Sequence, residues 1–414
     1  MKILILTQYP LFASTTNRML GFAKALQKRG HKVTFLVVGN KYLPGVQHKP
    51  VLPTEMDGVL IKYTPSIPNA SIVMPGFLWG MLAVFFVLFI KTPIALRQAF
   101  SNDVIYSSKP LPYGAIITIL ISFFSRKPFV LDLDDWEGVG GFATIKQSNR
   151  AFVKAVITYF EEKTPLLAKS VVSASSLLAK RVILGGVPAN AVFIAQNGAD
   201  ILKFNPGISG ESLRNKLGLK GVVLCYLGTF KKGGANWEML VNSFAEVCKQ
   251  TSDAMLLVIG FGDQLDDAKT LGSKLGLANK IVFAGKVEHG NVAEYLATSD
   301  IFLLPYQDDF PDTFVNIGRS SVKLYEYMAM GKAIIATDVG EVGEALANGA
   351  GVLVKTNDPI EFGSAIVSAI KDKDFLRSIG EKARRRAEEV FNYEKMSEKV
   401  ENALLYAKKQ RLKN

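Results

Sequence analysis

Short apolar runs alternate with helix-period stretches along the whole chain, and this alternation limits what it can fold into. Strand-like runs lie at 2–7, 32–38, 59–63, 103–108, 129–134, 170–175 and 191–196, then at 222–228, 255–260, 281–287, 301–306, 333–339 and 351–355. Helical patterns such as Arg18 to Arg29 and Trp237 to Gln250 separate them. Repeated strand–helix–strand order predicts parallel sheets covered by helices on both faces. So many strands overfill one open sheet, so two doubly wound α/β domains are expected, with ligand crevices at the carboxyl ends of their strands. Turn signals cluster in Gln196-Asn-Gly-Ala-Asp-Ile-Leu-Lys-Phe-Asn-Pro-Gly207, which puts the domains at 1–205 and 206–390. A last helix within 391–414 is expected to pack back on the first domain.

The 414-residue chain carries 49 Lys and Arg against 37 Asp and Glu, a formal net charge of +12. That excess suits nucleic acid, an anionic membrane or a phosphorylated substrate. No run of five basic residues and no zinc-finger spacing is present, so nucleic acid is not expected. Cys225 and Cys248 give no disulfide framework, and His31, His48 and His289 have no ligand spacing. No metal or other cofactor is expected. Lys2 to Thr7 is too short for a secretory signal core and reads as a first strand, so a cytoplasmic location is expected.

One segment departs from the alternation. Residues 63–90 carry no charged side chain, and Phe77 to Ile90 is almost wholly apolar. A membrane span needs roughly 20 apolar residues, and a single crossing would divide two strands of one sheet. A buried or interdomain helix and a helix lying in the membrane interface both remain open, with a re-entrant span as the third reading.

Ser320-Ser-Val-Lys-Leu-Tyr-Glu-Tyr-Met-Ala-Met-Gly331 reads as a helix start, a short helix and a glycine stop, followed by a buried strand. A helix N-terminus offers free N–H groups and a partial positive charge, and Lys323 adds a full one. Glu326 lies three residues on and shares its face. Phosphates at the helix tip with sugar hydroxyls at the acid would suit a nucleotide; a surface ion pair on an ordinary helix is the alternative. Other strand-end loops carry Lys231 and Lys232, which could meet phosphate oxygens. Gly260-Phe-Gly262 lacks the third glycine of a dinucleotide fingerprint, so a nicotinamide cofactor is disfavoured.

In the first half, Leu131-Asp-Leu-Asp-Asp-Trp-Glu-Gly138 sets four acids at a strand end. Such crowding is costly unless the acids face solvent, a metal or substrate. Asp132-Leu-Asp134 also matches a short metal-carrying Asp-x-Asp pattern, in the wrong context. Arg18 follows Ser14-Thr-Thr-Asn17 at the start of the first helix, whose tip would face the same crevice.

Taken in order, these segments resemble the retaining glycosyltransferases of family 4. The residues that carry the resemblance are Arg29-Gly-His-Lys-Val-Thr34, Ser173-Ala-Ser-Ser176, Asn197-Gly-Ala-Asp200 with Phe204 and Pro206, Val258-Ile-Gly-Phe-Gly262, Val282-Phe-Ala-Gly285, Tyr325-Glu-Tyr-Met-Ala-Met-Gly-Lys332 and Ile335-Ala-Thr-Asp-Val-Gly340. The resemblance covers essentially the whole length. It implies the GT-B fold: two facing Rossmann-like domains with a cleft between them, the first for the acceptor and the second for a nucleotide sugar. It implies that Glu326 holds the ribose, that Ser321, Val322 and Lys323 approach the diphosphate, and that Gly285 to Val287 meet the base. Three positions depart. Gly318 stands where the first acid of a Glu pair belongs, leaving Asp308, Asp309 or Asp312 as substitutes. Thr229 stands for an Arg, with Lys231 and Lys232 to replace it. Ser14-Thr15-Thr16 replaces a glycine pair, so Thr16 and Arg18 are the acceptor-side candidates. Asp134-Asp135 occupies the segment of a catalytic His or Asp.

The expected activity is therefore transfer of a sugar from a UDP-, GDP- or ADP-linked donor to a lipid-linked or membrane-proximal glycan, as in polysaccharide biosynthesis, with retention and without a metal. Lys323 would stabilise the leaving diphosphate, and Asp134 or Asp135 would orient acceptor or sugar. A peripheral position on the inner face of the plasma membrane fits the basic balance. A sugar-nucleotide 2-epimerase and a non-catalytic sugar-nucleotide-binding subunit are the alternatives.

Overall fold

The computed structural model describes residues 1–11, 13–38, 52–65, 84–141, 151–230, 236–306, 320–355 and 358–411. Two compact units result: 1–197 with 393–414, and 198–392. The break falls at Asn197 instead of 205, because the linker from Gly198 onward packs with the second unit. Phe204 is buried in that unit's core, and the Arg384 guanidinium donates to the Phe204 and Ala329 carbonyls at 2.9 and 2.6 Å.

The first unit holds β1 (Lys2–Thr7), β2 (Lys32–Val37), β3 (Glu55–Met56), β4 (Val59–Tyr63), β5 (Val104–Ser108), β6 (Phe129–Leu133), β7 (Ser170–Ser173) and β8 (Val192–Ile194), in the spatial order β3-β4-β2-β1-β5-β6-β7-β8. All pairs are parallel except β3 with β4. β5, β6 and β7 are buried along their full lengths, which is why they read as unbroken apolar runs. β3 is the strand the pattern does not reveal. It has two residues, and it turns into β4 through Asp57 and Gly58 at φ 50° and 79°, the left-handed pair of a tight hairpin.

Helix Ser14–Lys28 and the last helix, Tyr393–Arg411, cover one face of this sheet, burying Met19, Phe22, Met396 and Val400 in a shared core. On the other face, Val87, Ala95, Ile117, Ile121 and Val182 come from helical segments between β4 and β8. No helix among the described residues is long and apolar enough to cross a membrane. Of the uncharged stretch, 66–83 lies outside the described residues.

The second unit holds β9 (Val222–Thr229), β10 (Ala254–Phe261), β11 (Ile281–Gly285), β12 (Ile301–Leu304), β13 (Ala333–Thr337) and β14 (Val352–Val354), ordered β11-β10-β9-β12-β13-β14 and parallel throughout. Apolar cores lie on both faces. Parallel pairing brings all six carboxyl ends to one edge, where a doubly wound sheet binds ligand.

Candidate functional site

In the second unit the site is built on helix Val322–Ala329. Its inner face carries Leu324, Tyr325, Tyr327 and Met328, all fully buried. The Tyr327 hydroxyl accepts a hydrogen bond from the Leu227 N–H at 2.7 Å, and its ring stacks on Phe302 at 4.3 Å. Those contacts fix the helix against β9 and β12. Gly331, at φ 68°, ends it in the left-handed conformation expected of a glycine stop.

The start of the helix differs from expectation. Ser321 holds the N-cap position with extended backbone, but its side chain makes no capping hydrogen bond. The Ser320 hydroxyl instead lies 3.0 Å from that of Tyr325. The first N–H groups of the helix are thus not capped by the Ser321 hydroxyl.

Lys323, one residue inside the helix, reaches back over β9. Its Nζ donates to the Tyr226 hydroxyl at 3.1 Å and lies 4.6 Å from the centre of that ring and 5.3 Å from that of Tyr306. Gly228 makes room for this. A Cβ there would stand 2.6 Å from Nζ and closer still to the Tyr226 hydroxyl.

Glu326 is only 5% exposed, in contrast to a surface ion pair. Burial pushes its carboxyl up to about 7, against the lowering fields of Lys203 and Lys323. Among the described residues it accepts no hydrogen bond. A buried carboxylate left in that condition is costly, and a ligand bringing hydroxyl donors would relieve it.

The other donor-side candidates lie along the same edge. Thr229 is exposed at the end of β9, while Ser321, Val322, Gly285 and Val287 are half-buried. Gly285 ends β11 at φ 70°, and among the described residues nothing lies within 4 Å of the place a Cβ would take. Lys231, Lys232, Asp308, Asp309, Asp312 and Gly318 lie outside the described residues.

In the first unit the acids at the end of β6 and in the loop after it meet two buried cations, Arg18 and Lys109. Arg18 is 1% exposed, not at an open helix tip. Its Nε donates to Asp132 at 3.0 Å, and its terminal nitrogens donate to Asp132, Asn197 and the Ala195 carbonyl at 3.2, 3.2 and 2.7 Å. Tyr106 donates a short hydrogen bond to the same Asp132. Thr16 is also fully buried, its hydroxyl 3.3 Å from that of Thr7. Arg18 and Asp132 thus hold the first helix to β6. The Asp-x-Asp pair is divided between two partners: the Thr15 hydroxyl donates to Asp134 at 2.9 Å.

Lys109 is the centre that sequence spacing does not reveal. Its Nζ lies 3.2 Å from Asp134, 2.6 Å from Asp135 and 2.7 Å from Glu137. Burial works to lower its pKa, but Asp134, Asp135 and Glu137 together raise it well above the usual lysine range. Burial lifts Asp135 to about 7 despite Lys109. Asp135 keeps 30% of its side chain exposed and Asp134 only 8%, so Asp135 is the more accessible of the two. Glu161 supports the loop from below, accepting from the Glu137 and Gly138 N–H groups at 2.7 and 2.5 Å, with Arg181 at 3.4 Å. Among the described residues no three Cys, His, Asp or Glu side chains are grouped to hold a metal ion.

Residues 211–386 match the family model of the glycosyl transferases group 1. An uncharacterized glycosyltransferase of Methanocaldococcus jannaschii is 27% identical over 252 residues, which are 58% of this chain and 61% of that protein. The phosphatidyl-myo-inositol mannosyltransferase of Mycolicibacterium smegmatis is 26% identical over 208 residues, 50% of this chain and 49% of that one. The matched part therefore spans half to three-fifths of the length of these relatives. Among solved structures, Anabaena HepE in complex with UDP and glucose superposes with a TM-score of 0.74 at 19% identity, covering 98% of this chain and 99% of that one. The chain has a GT-B fold of two Rossmann-like domains, and the match to the glycosyl transferases group 1 model lies within its second unit.

Proposed function

We propose that this protein is a glycosyltransferase that moves a sugar from a nucleotide-sugar donor to an acceptor, with retention of configuration. The observation that carries the reading is Glu326: a buried carboxylate that has no hydrogen-bond donor among the described residues, one turn behind a lysine-bearing helix start. A ribose diol supplies two O–H donors to it. The diphosphate then meets the N–H groups of Ser321, Val322 and Lys323 and the Lys323 ammonium, with the base near Gly285 and Val287. Thr229 stands exposed at the end of β9, and Lys231 and Lys232 follow it in the sequence.

In this reading the acceptor hydroxyl attacks the anomeric carbon on the face from which the diphosphate departs. The C–O bond to phosphate breaks as the new one forms, and a phosphate oxygen takes the hydroxyl proton. The demand on the protein is stabilisation of charge on the leaving diphosphate, which Lys323 and the helix N-terminus meet electrostatically and without a metal. Asp134 or Asp135 orients acceptor or sugar in this reading, and Asp135 is the more exposed of the two.

A lipid-linked or membrane-proximal glycan is the proposed acceptor, with the enzyme peripheral on the cytoplasmic face of the membrane. The name of the mycolicibacterial relative, a phosphatidyl-myo-inositol mannosyltransferase, and the net charge of +12 support this. The test is a thermal-shift screen of UDP-, GDP- and ADP-sugars, since a ligand bound only by the folded state raises the melting temperature. Turnover assays with and without glycolipid acceptor follow. Release of sugar only when acceptor is present marks a transferase. An epimerised nucleotide sugar without acceptor marks an epimerase, and binding without turnover a non-catalytic subunit.

A further inference from the structure

The helical segment after β4 buries one face at four-residue spacing: Val87, Lys91, Ala95 and Ala99 are 1%, 2%, 0% and 0% exposed. Val87, Ala95 and Ala99 belong to the apolar core on that side of the first sheet. Lys91 therefore stands where the helical period calls for an apolar residue. The backbone widens at the same point. Val87–Lys91 is a π-helical turn, in which the Thr92 N–H donates to the Val87 carbonyl five residues back, and the Thr92 hydroxyl donates to that carbonyl at 2.8 Å. Single widened turns of this kind occur frequently at functional sites.

The ammonium group reaches the carboxyl edge of the sheet. Its Nζ donates to the carbonyl of Val38, the residue after β2, next to the place where Thr64, after β4, donates its N–H to the Val37 carbonyl at 3.0 Å. Among the described residues Lys91 has no other hydrogen bond and no ion pair, so two of its three N–H groups remain. Burial lowers its pKa to about 8 and no neighbouring charge acts on it, which leaves it charged at pH 7. The nearby sequence offers no counter-ion. From Val38 to Asn102 the only acids are Glu55 and Asp57, in the hairpin at the opposite, amino end of β4, where Asp57 pairs with Lys24 at 2.5 Å. None of the first unit's residues outside the described set is Asp or Glu. A buried cation without an anion is costly, and proteins break packing rules of this kind chiefly at functional sites.

We propose that Lys91 anchors an oxyanion site at the carboxyl edge of the first sheet, its two remaining N–H groups taking a phosphate or carboxylate oxygen of a small ligand. The ammonium is reached through local opening of that edge. The site stands on the first unit alone. Its use for an acidic acceptor, a sugar phosphate or a uronic acid, rests on the transferase reading.

The test is calorimetric titration of the full chain at pH 7 with glucose 6-phosphate, with glucuronate and with neutral glucose. At least one of the two anions should bind and glucose should not, and Lys91→Met should weaken the anion at least about tenfold. Binding of glucose 6-phosphate alone would make the ligand group a phosphate, and binding of glucuronate alone a carboxylate. Lys323→Ala, on the donor side of the second unit, should bind the anion as the parent does. Loss in Lys323→Ala but not in Lys91→Met would place the anion at the donor site and overturn the proposal. Equal losses in both would make net charge the cause and overturn it too, as would a parent that binds neither anion. Melts without ligand are the fold control. Removing an uncompensated buried charge offsets the lost bond to Val38, so Lys91→Met should melt at or above the parent. A variant that melts well below it would make Lys91 a structural donor to Val38 and overturn the site. No nucleotide sugar enters these titrations, so they decide the site whether or not the donor reading holds.

Discussion

Lys323 donates to the hydroxyl of Tyr226 at 3.1 Å, across a gap that exists because residue 228 has no side chain. The pair fixes an ammonium group at the carboxyl edge of β9, beside the start of the helix that bears Glu326. Tyr226 is a neutral partner and orients the ammonium group by its hydroxyl.

Gly228→Ala should therefore displace Lys323 and press on the buried ring of Tyr226. Overpacking of that kind should cost about 1–3 kcal/mol of stability, while donor affinity falls roughly tenfold. Thermal melts and calorimetric titration check the two halves. Unchanged donor affinity would mean that the observed position of Lys323 is not the one that binds.

Lys323→Ala separates binding from chemistry. If the ammonium stabilises the leaving diphosphate, turnover should fall by more than the donor dissociation constant rises. Activity should also survive excess chelator. Normal turnover in the variant would remove Lys323 from the mechanism, and loss with chelator that manganese restores would replace it with a metal.

Arg18→Met should cost about 3–5 kcal/mol, because it leaves the Asp132 carboxylate buried without its cation. Arg18→Met with Asp132→Leu should recover much of that loss. Denaturant melts of both variants decide the matter. A single variant as stable as the parent would show that Arg18 is not structural and would return it to the acceptor side.

Stability should fall as pH rises from about 5 to 8. Burial lifts Asp135, Glu161 and Glu326 each to about 7, above their ordinary values of 3.8, 4.5 and 4.5. The folded state then holds more protons than the unfolded state across that window. The contribution is complete below the unfolded values and is lost as pH passes through the folded ones, on the order of a few kcal/mol in total. Chemical denaturation at pH 5.5 and pH 8 measures it; a rise in stability toward pH 8 would contradict these assignments.

The fold was legible because buried parallel strands are continuous apolar runs, and β1, β6 and β13 could be read from such runs alone. β3 escaped because two residues carry no period. In the second unit, Lys323, Glu326 and Gly331 were legible because one short helix sets their spacing. The first unit's cluster was not, since Lys109 meets acids 25 to 28 positions away and Arg18 meets Asp132 114 positions away. Only folding joins those residues. The remaining sequence clue was Lys109 itself, a lone charge directly after the buried β5. Arg18 read as an open helix start because nothing local shows that the acid it needs arrives from β6.

The most direct test of the donor site is calorimetric titration with whichever of UDP, GDP or ADP gives the largest thermal shift, on the parent and on Glu326→Gln, between pH 6 and 8. Ribose hydroxyls favour the ionised carboxylate, so binding to the parent should release protons near pH 7, seen as a heat that varies with buffer. The variant should bind more weakly by roughly 1.5–3 kcal/mol and release none of those protons. Equal affinity and equal proton release in both proteins would contradict the assignment of Glu326 to the nucleotide ribose.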